Sequence, residues 1–276
     1  MHREIYIWLV VVELTLGLSA SGWAAPGVPV LIYHELVTDD RPPSETVIHL
    51  DRFRQQMAWL KSHGYSTLTL PELAAVLAGA HPVPERAVVL TFDDGWKSVL
   101  QAVPILEAYG FAASFWIIAG ELGIGGLNLE WSDIVQLDRH PLFEVASHTL
   151  SHPWDRASNL VTWVDGRTPG KSIADARWEL VESRRILEQR LGHPVTALAW
   201  PCGWYNDTLI TLAQEAGYTM LMTVDDGLNT PGTDPWHVHR TFVDGACDLT
   251  VFEAMVHDGH YRLCQTSSQP TLGHLP

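Results

Sequence analysis

The chain has 276 residues, of which 46% are hydrophobic and 18% are charged. This length and composition are sufficient for one sizeable core and argue against an intrinsically disordered chain. The formal net charge of −15 argues against DNA or RNA as a partner, because nucleic-acid phosphates require a basic surface, whereas a neutral or cationic polymer is compatible with it.

The first 25 residues have the composition of an export signal. Arg3 supplies a positive charge, residues 5–18 are mostly apolar, and residues 19–25 offer small side chains for cleavage. Glu4 and Glu13 depart from this pattern, so an uncleaved N-terminal anchor is the alternative to a signal peptide. On either interpretation we expect the remaining chain to be exported and to be periplasmic, extracellular or anchored to a membrane facing outward.

Strand-like and helix-like segments alternate after this region. Apolar runs rich in β-branched residues predict eight strands, at residues 28–33, 66–70, 86–92, 112–118, 143–147, 197–200, 219–224 and 238–242. Helical spacing of apolar residues, with Asp, Gly or Pro near the ends, predicts helices at residues 51–63, 71–77, 98–109, 131–137, 173–191, 207–216 and 249–257. For the first helix, Asp51 is the expected N-cap.

This alternation predicts an α/β fold, a distorted (β/α) barrel of about seven or eight mostly parallel strands. The simplest organisation is one domain over residues 26–260, followed by a loose tail at residues 261–276. The three cysteines, Cys202, Cys247 and Cys264, form no Cys-x-x-Cys pair. Outside the cytoplasm Cys247 and Cys264 can form a disulfide, and unpaired cysteines are the alternative.

Polar residues collect where four predicted strands end, at residues 33–35, 91–95, 147–152 and 200–203. In parallel α/β folds, functional residues gather at the carboxyl ends of the strands. Packing alone does not readily explain four such ends. The pattern therefore predicts a functional site at this edge of the sheet.

His148 and His152 are candidate metal ligands. In a continuing strand two residues four apart are separated by about 13 Å, too far for one metal ion, whereas in a helical turn the rise is only about 6 Å. We therefore expect the strand to end near His148 and the chain to turn tightly before Pro153. By itself, the pair is better explained as two surface or core histidines.

Asp93 and Asp94 follow an apolar predicted strand, where two carboxylates are costly unless a partner compensates them. Adjacent side chains of an extended chain point to opposite sides, so one carboxylate can bind a metal while the other stays free. Gly95 permits the turn that exposes both, although a solvated Asp-Asp-Gly turn explains the motif equally well. Combined with the two histidines, the motif favours a site of two imidazoles and one carboxylate, which is typical of catalytic zinc.

Two of these motifs resemble those of a known family. Thr-Phe-Asp-Asp-Gly at residues 91–95 and Ser-His-Thr-Leu-Ser-His at residues 147–152 are similar to the first two motifs of the polysaccharide deacetylases, carbohydrate esterase family 4. The resemblance extends over roughly residues 28–257. It implies a metal-dependent hydrolase that removes N-acetyl groups from an acetylated polysaccharide or oligosaccharide.

The same resemblance implies roles for individual residues. Asp93 would be the general base, and Asp94, His148 and His152 would bind a divalent ion, zinc first, with cobalt, nickel or iron(II) as alternatives. Residues 30–35, before the Asp-Asp motif, are similar to the permuted branch that includes bacterial poly-N-acetylglucosamine deacetylases. This arrangement implies that His34 protonates the leaving amine. A structural role for His34, and His257 as the acid, are the alternatives.

The third family motif usually reads Pro-Tyr-Gly, whereas this chain has Pro201-Cys202-Gly203. The resemblance implies that a backbone N–H near Cys202 holds the oxyanion, a role for which Cys can substitute. The arginine that the classical branch places just before this proline is absent. Arg240 is expected to pair with Asp93 instead, with an ordinary salt bridge as the alternative.

Trp204, together with Tyr205 and Trp236, is a candidate for stacking on sugar rings, and ordinary packing is the alternative. Two other functions compete with the hydrolase. A non-catalytic carbohydrate-binding relative is supported only by the Cys202 departure, and a glycosidase needs two carboxylates about 5 or 6.5–9.5 Å apart, for which neighbouring aspartates are poorly placed. Poly-N-acetylglucosamine, peptidoglycan, chitin oligomers and a lipid-linked glycan all remain candidate polymers.

Overall fold

Twelve strands, most of them short, occur in the computed structural model, which describes residues 27–264. They are β1 (Val30–Tyr33), β2 (Glu35–Val37), β3 (Val47–His49), β4 (Ser66–Thr67), β5 (Ala87–Phe92), β6 (Ala113–Ile117), β7 (Phe143–Ser147), β8 (Trp154–Asp155), β9 (Ser158–Asn159), β10 (Ala197–Ala199), β11 (Met220–Met222) and β12 (Thr241–Phe242).

Seven of the strands form one parallel path in the order β11, β10, β7, β6, β5, β1, β12, and β4 pairs with the start of β5. A single parallel bridge between Met222 and Val238 brings β11 against the segment that leads into β12, so the sheet curls toward closure. All six residues of β5 are buried, as expected for a parallel strand that is covered on both faces. The predicted distorted (β/α) barrel is confirmed.

Eight α-helices surround this sheet within the described residues. They are α1 (Leu50–Ser62), α2 (Leu70–Leu77), α3 (Val103–Tyr109), α4 (Trp131–Asp138), α5 (Leu160–Val164), α6 (Ile173–Leu191), α7 (Asp207–Glu215) and α8 (Leu249–Asp258). Short 3₁₀ turns occur at Lys97–Gln101, Ile124–Gly126 and Pro201–Gly203.

Several boundaries differ from the sequence prediction. The helix predicted at residues 98–109 is split into a 3₁₀ turn and α3, and the strand predicted at residues 238–242 is reduced to β12. Two other differences have a local cause. His49, not Asp51, is the N-cap of α1, and Asp51 lies in the first helical turn, where it pairs with Arg54 at 2.8 Å. The predicted strand at residues 66–70 is also too long. Thr69 and Glu72 form a capping box that starts α2, and this local hydrogen bonding ends the strand after two residues.

The helix α2 closes one end of the barrel interior. Its Leu73, Val76 and Leu77 pack in one cluster with inward-facing residues of β5, β6, β10 and β11, among them Val89 and Trp116. Because α2 and the first residues of these strands fill the amino-terminal end, a site inside the barrel is accessible only from the carboxyl ends of the strands.

Cys247 and Cys264 form a disulfide, which decides between the two possibilities that the sequence left open, and Cys202 is free. None of the helices at residues 27–264 has the length and apolar character needed to cross a membrane. The predicted signal or anchor at residues 1–25 and most of the predicted tail lie outside the described residues.

Candidate metal centre and its surroundings

The turn after β5 places two aspartates differently. The backbone N–H of Asp93 donates to the Tyr33 carbonyl oxygen at 2.8 Å, so Asp93 still belongs to the sheet and is buried. Asp94 has φ of 68° and Gly95 has φ of 69°, so the chain reverses in the left-handed region, which Asp tolerates and Gly favours. One carboxylate therefore lies inside the barrel mouth, and the other at its rim.

The turn after β7 brings two histidines together. The His148 N–H still pairs with the sheet, at 2.8 Å from the Ile117 carbonyl oxygen. Thr149 and His152 then take left-handed φ values of 66° and 46°, and the Thr149 hydroxyl oxygen accepts from the His152 N–H at 3.2 Å. As a result the two imidazole rings lie 4.6 Å apart, centre to centre, in the tight turn predicted from their spacing.

Asp94, His148 and His152 form a group that can hold a metal ion. Asp94 Oδ1 lies 3.4 Å from His148 Nε2 and 3.7 Å from His152 Nε2. The three ligand atoms all lie within 4.8 Å of one another. With metal–ligand bonds of about 2.0–2.1 Å, the ligand atoms of a tetrahedral site are separated by roughly 3.3 Å, close to the two distances from Asp94 Oδ1 to the histidine nitrogens. Asp94 Oδ1 is buried without a hydrogen-bond partner, as expected of an atom that binds a cation.

Hydrogen bonds outside this group set the orientation of its members. His148 Nδ1 donates to the Ala199 carbonyl oxygen at 3.0 Å, which fixes the tautomer and leaves Nε2 as an acceptor. Trp96 Nε1 donates to Asp94 Oδ2 at 3.1 Å, which leaves Oδ1 directed at the histidines. Both histidines are desolvated, yet the carboxylates raise the pKa of His148, whereas burial lowers that of His152 to about 4.

Glu179 of α6 holds the histidine turn from behind and was not found from the sequence. Its buried carboxylate accepts from the N–H groups of Leu150 and Ser151 at 3.2 and 2.9 Å, and from the Ser151 hydroxyl at 2.6 Å. The sequence did contain one indication of its role: Glu179 lies on the same helical face as Ala176 and Leu180, which belong to the buried hydrophobic cluster. A glutamate on a buried helix face requires a partner, but the sequence does not say which one.

Asp93 is paired with Arg240 inside the barrel. Arg240 is fully buried, and its NH1 donates to Asp93 Oδ1 at 2.9 Å while its Nε donates to the Thr223 carbonyl oxygen at 2.9 Å. Burial would raise the pKa of Asp93, but the charge of Arg240, with His148 and His34, holds it below its ordinary value. Asp93 Oδ2, which Arg240 does not contact, lies 3.9 Å from His148 Nε2 and faces the metal group.

His34, at the end of β1, lies at the same barrel mouth. The side chain is buried, its ring stacks on Phe242 with centres 5.7 Å apart, and its Nδ1 has no hydrogen-bond partner. Burial lowers the pKa of His34, although the charges of Asp94 and Asp93 oppose this. The alternative acid, His257, lies on the surface of α8, where it contacts Glu253 and Trp59 and is not part of this cluster.

Pro201, Cys202 and Gly203 form the short 3₁₀ turn after β10. Cys202 is exposed and has a left-handed φ of 53°. Desolvation of the thiol, with the charge of Asp94 as a smaller cause, raises the pKa of Cys202 above its ordinary value. A Cβ on Gly203 would lie 2.1 Å from Val224, so only glycine fits there.

The three candidate sugar-stacking residues have different surroundings. Trp204 is half-buried beside the third motif. Tyr205 donates its hydroxyl to Asp225 at 2.6 Å and stacks on Trp200, and Trp236 packs against the cluster formed by α5, α6 and α7. Trp154, which no sequence motif indicates, is 68% exposed and lies two residues after His152. Its position became apparent only from the hairpin that β8 and β9 form.

Comparisons with known proteins give the chain a family. The family model described as polysaccharide deacetylase matches residues 80–221, half of the chain. YxkH of Bacillus subtilis, whose name places it among the polysaccharide deacetylases, is 26% identical over 232 residues, which cover 83% of this chain and 76% of that protein.

Two further similarities are to a named enzyme of Escherichia coli and to a solved structure. The poly-beta-1,6-N-acetyl-D-glucosamine N-deacetylase of Escherichia coli is 25% identical over 240 residues, which cover 76% of this chain but only 36% of that protein. The chain thus spans about a third of that relative's length. The solved structure of IcaB from Ammonifex degensii superimposes with a TM-score of 0.68 at 27% identity, covering 79% of this chain and 91% of that one.

Proposed function

The chain belongs to the polysaccharide deacetylase family and is a deacetylase, and on that premise we propose that it hydrolyses N-acetyl groups of an N-acetylglucosamine-containing polysaccharide. The observation that carries the proposal is the juxtaposition of two units at the barrel mouth. Asp94, His148 and His152 form one, and Asp93 paired with Arg240 forms the other.

We propose a divalent ion, zinc first, as the cofactor, with cobalt, nickel or iron(II) as alternatives. Two imidazole nitrogens and one carboxylate oxygen are the donor set of catalytic zinc sites, and they leave room for water and substrate. When bound, the ion would polarise the amide carbonyl and lower the pKa of a water molecule.

Asp93 is the proposed general base. Its Oδ1 is engaged by Arg240, which keeps the carboxylate ionised, while Oδ2 faces the metal group and is free to take the proton of the attacking water. Asp94, in contrast, directs its unpartnered Oδ1 at the two histidines. The two neighbouring carboxylates therefore have different proposed roles, one as the base and the other as a metal ligand.

His34 is the proposed acid for the leaving amine. It is the remaining buried histidine at this end of the described barrel, and its Nδ1 is unpartnered. Because burial favours the neutral imidazole, His34 would first take up the proton that Asp93 removes from the water and then donate it to the amine. The Cys202 N–H is the proposed donor to the tetrahedral oxyanion, with Pro201 and Gly203 shaping the turn that presents it.

Export is part of the proposal. We propose that residues 1–25 act as a signal peptide or anchor, that residues 26–260 form the deacetylase domain, and that residues 261–276 are a tail. Poly-N-acetylglucosamine is the first substrate to test, because relatives carry that activity in their names. The disulfide between Cys247 and Cys264 is consistent with an oxidising compartment.

The test is acetate release from N-acetylglucosamine oligosaccharides, measured with the metal content of the same sample. A chelator should abolish release, and zinc or cobalt should restore it. Asp93→Asn should keep the metal and lose turnover, whereas His148→Ala should lose both.

His34→Ala should lower turnover with metal content unchanged, and the surface variant His257→Ala is its matched control. Full metal-dependent activity in His148→Ala would contradict its assignment as a metal ligand. Equal losses of turnover in His34→Ala and His257→Ala would contradict the assignment of His34 as the acid.

A further inference from the structure

An open pocket of about 500 Å³ lies next to the candidate site. One wall is formed by Gly203, Trp204 and Tyr205, which continue the third motif. The other comes from the hairpin that begins two residues after His152 and from the start of α5. Because both walls continue segments of the metal site, a polymer bound at that site can extend into this pocket.

Two arginines line this pocket. Its lining residues include Arg156 and Arg167 and no carboxylate, in a chain with 32 acidic and only 17 basic residues. Arg167 contacts Asp165 at 2.7 Å through one nitrogen. Within residues 27–264 the Arg156 guanidinium makes no hydrogen bond or ion pair, although most other arginines there are paired with an acid or a carbonyl. The guanidinium of Arg156 is thus available to a ligand.

Aromatic surface lies beside these charges. Tyr205 is held by its hydrogen bond to Asp225 and by stacking on Trp200, so its ring is a rigid part of the wall. Trp204 is half-buried next to it, and Trp154 of the hairpin is exposed. Flat aromatic faces beside hydrogen-bond donors suit a sugar ring, and a guanidinium pairs with a carboxylate through two parallel hydrogen bonds.

We infer that this pocket binds a sugar unit that carries a carboxylate, adjacent to the N-acetylated unit whose amide is hydrolysed. The inference rests on the proposed deacetylase function and, within it, favours an acidic glycan over the uncharged poly-N-acetylglucosamine. Arg156 and Arg167 pair with the carboxylate, while Trp204 contacts the ring. A glucosamine unit left by an earlier turnover carries a positive charge, so the same arginines disfavour it in this pocket.

The test compares oligosaccharides that differ only in this charge. The probes are an oligosaccharide of alternating N-acetylglucosamine and glucuronic acid, and its methyl ester, in which every carboxylate is neutral. In a second pair, the carboxyl group belongs to a lactyl ether on the neighbouring N-acetylhexosamine and is again either free or methyl-esterified. Comparing the two pairs shows whether the pocket prefers a uronic acid or a lactyl carboxylate. The Kd of each is measured by calorimetry with a chelator present to prevent turnover, and kcat/KM for acetate release is measured with zinc.

Wild type should bind one of the acids about three- to tenfold more tightly than its ester at low salt, with the preference decreasing as salt rises. Arg156→Gln should bring the ratio of acid to ester toward one. Arg54→Gln, which removes an exposed arginine on α1, is the matched control and should keep the wild-type ratio.

Equal Kd values for acid and ester in wild type, for both pairs, would overturn the inference, and so would an unchanged ratio in Arg156→Gln. Either result leaves the deacetylase proposal standing if acetate is released. Conversely, preferential binding of the acid, without acetate release from any probe or from N-acetylglucosamine oligosaccharides, would support the pocket and contradict the proposed function.

Discussion

Glu179 provides the sharpest structural prediction, because it touches the histidine turn without being a metal ligand. Replacing Glu179 by Ala leaves the N–H groups of Leu150 and Ser151 and the Ser151 hydroxyl without their acceptor. A hydrogen bond to a charged group contributes about 1.5–3 kcal/mol, and such bonds are not additive when they share one acceptor. We therefore expect a loss of roughly 3–5 kcal/mol in the free energy of unfolding.

The consequence for the metal is the more specific readout. His148 and His152 stand at the two ends of the turn that Glu179 holds, so their Nε2 atoms should lose their fixed separation. Loss of a group that orients metal ligands typically weakens metal binding by about 10- to 100-fold. The zinc Kd is measured by competition with a chromogenic chelator, under conditions where denaturant titration shows that the variant is folded.

Glu182→Ala is the matched control, because Glu182 lies on the same helix and contacts only Arg185 at the surface. Its zinc Kd should equal that of wild type. Glu179→Gln should fall between wild type and Glu179→Ala, because one of its two oxygens is replaced by an NH₂ group that faces donors. A wild-type zinc Kd in folded Glu179→Ala would refute the reasoning that this carboxylate fixes the turn.

Three further predictions concern Arg240, Cys202 and the disulfide. Arg240→Ala leaves Asp93 buried without a cation, so the variant should unfold with a free energy lower by about 3–5 kcal/mol and have a reduced kcat. Denaturant titration and acetate release measure the two effects, and a stable, fully active variant would contradict the pairing. Cys202→Ala should keep kcat/KM within about threefold of wild type, because only the backbone N–H is assigned a role, and a much larger loss would show that the thiol takes part. Replacing Cys247 and Cys264 by Ser opens a loop with a sequence separation of 17 and should lower the free energy of unfolding by about 3 kcal/mol. The zinc Kd should stay unchanged, and a changed Kd would mean that the disulfide affects the metal site.

The sequence was most informative where one residue pattern has a single geometric solution. His148 and His152 are four positions apart, so both rings can bind one ion only in a tight turn, and the structure contains that turn. The buried strand β5 was predictable because parallel strands covered on both faces are apolar throughout. Arg240 was put forward as the partner of Asp93 because the arginine that the family resemblance implies before Pro201 is absent, and the structure pairs the two side chains.

Other features depend on contacts between segments that are distant in the chain. Glu179 meets the histidine turn across 28 or more residues, and nothing in its local sequence identifies that partner. The pocket beside the site exists because a hairpin after His152 lies opposite the third motif, about 45 residues later. The predicted N-cap of α1 was also wrong. His49, in an extended conformation, is the N-cap and makes no side-chain capping hydrogen bond, and the nearby Asp51 lies inside the first turn.

The central claim is that Asp94, His148 and His152 hold the catalytic ion while Asp93 does not. Anomalous diffraction at the zinc edge from crystals of the zinc-loaded enzyme tests it most directly. The account predicts one peak about 2.0–2.2 Å from Asp94 Oδ1 and from Nε2 of each histidine, with Asp93 Oδ2 beyond bonding distance. A peak bonded to Asp93 or to the Cys202 thiol, or placed away from the two histidines, would contradict it.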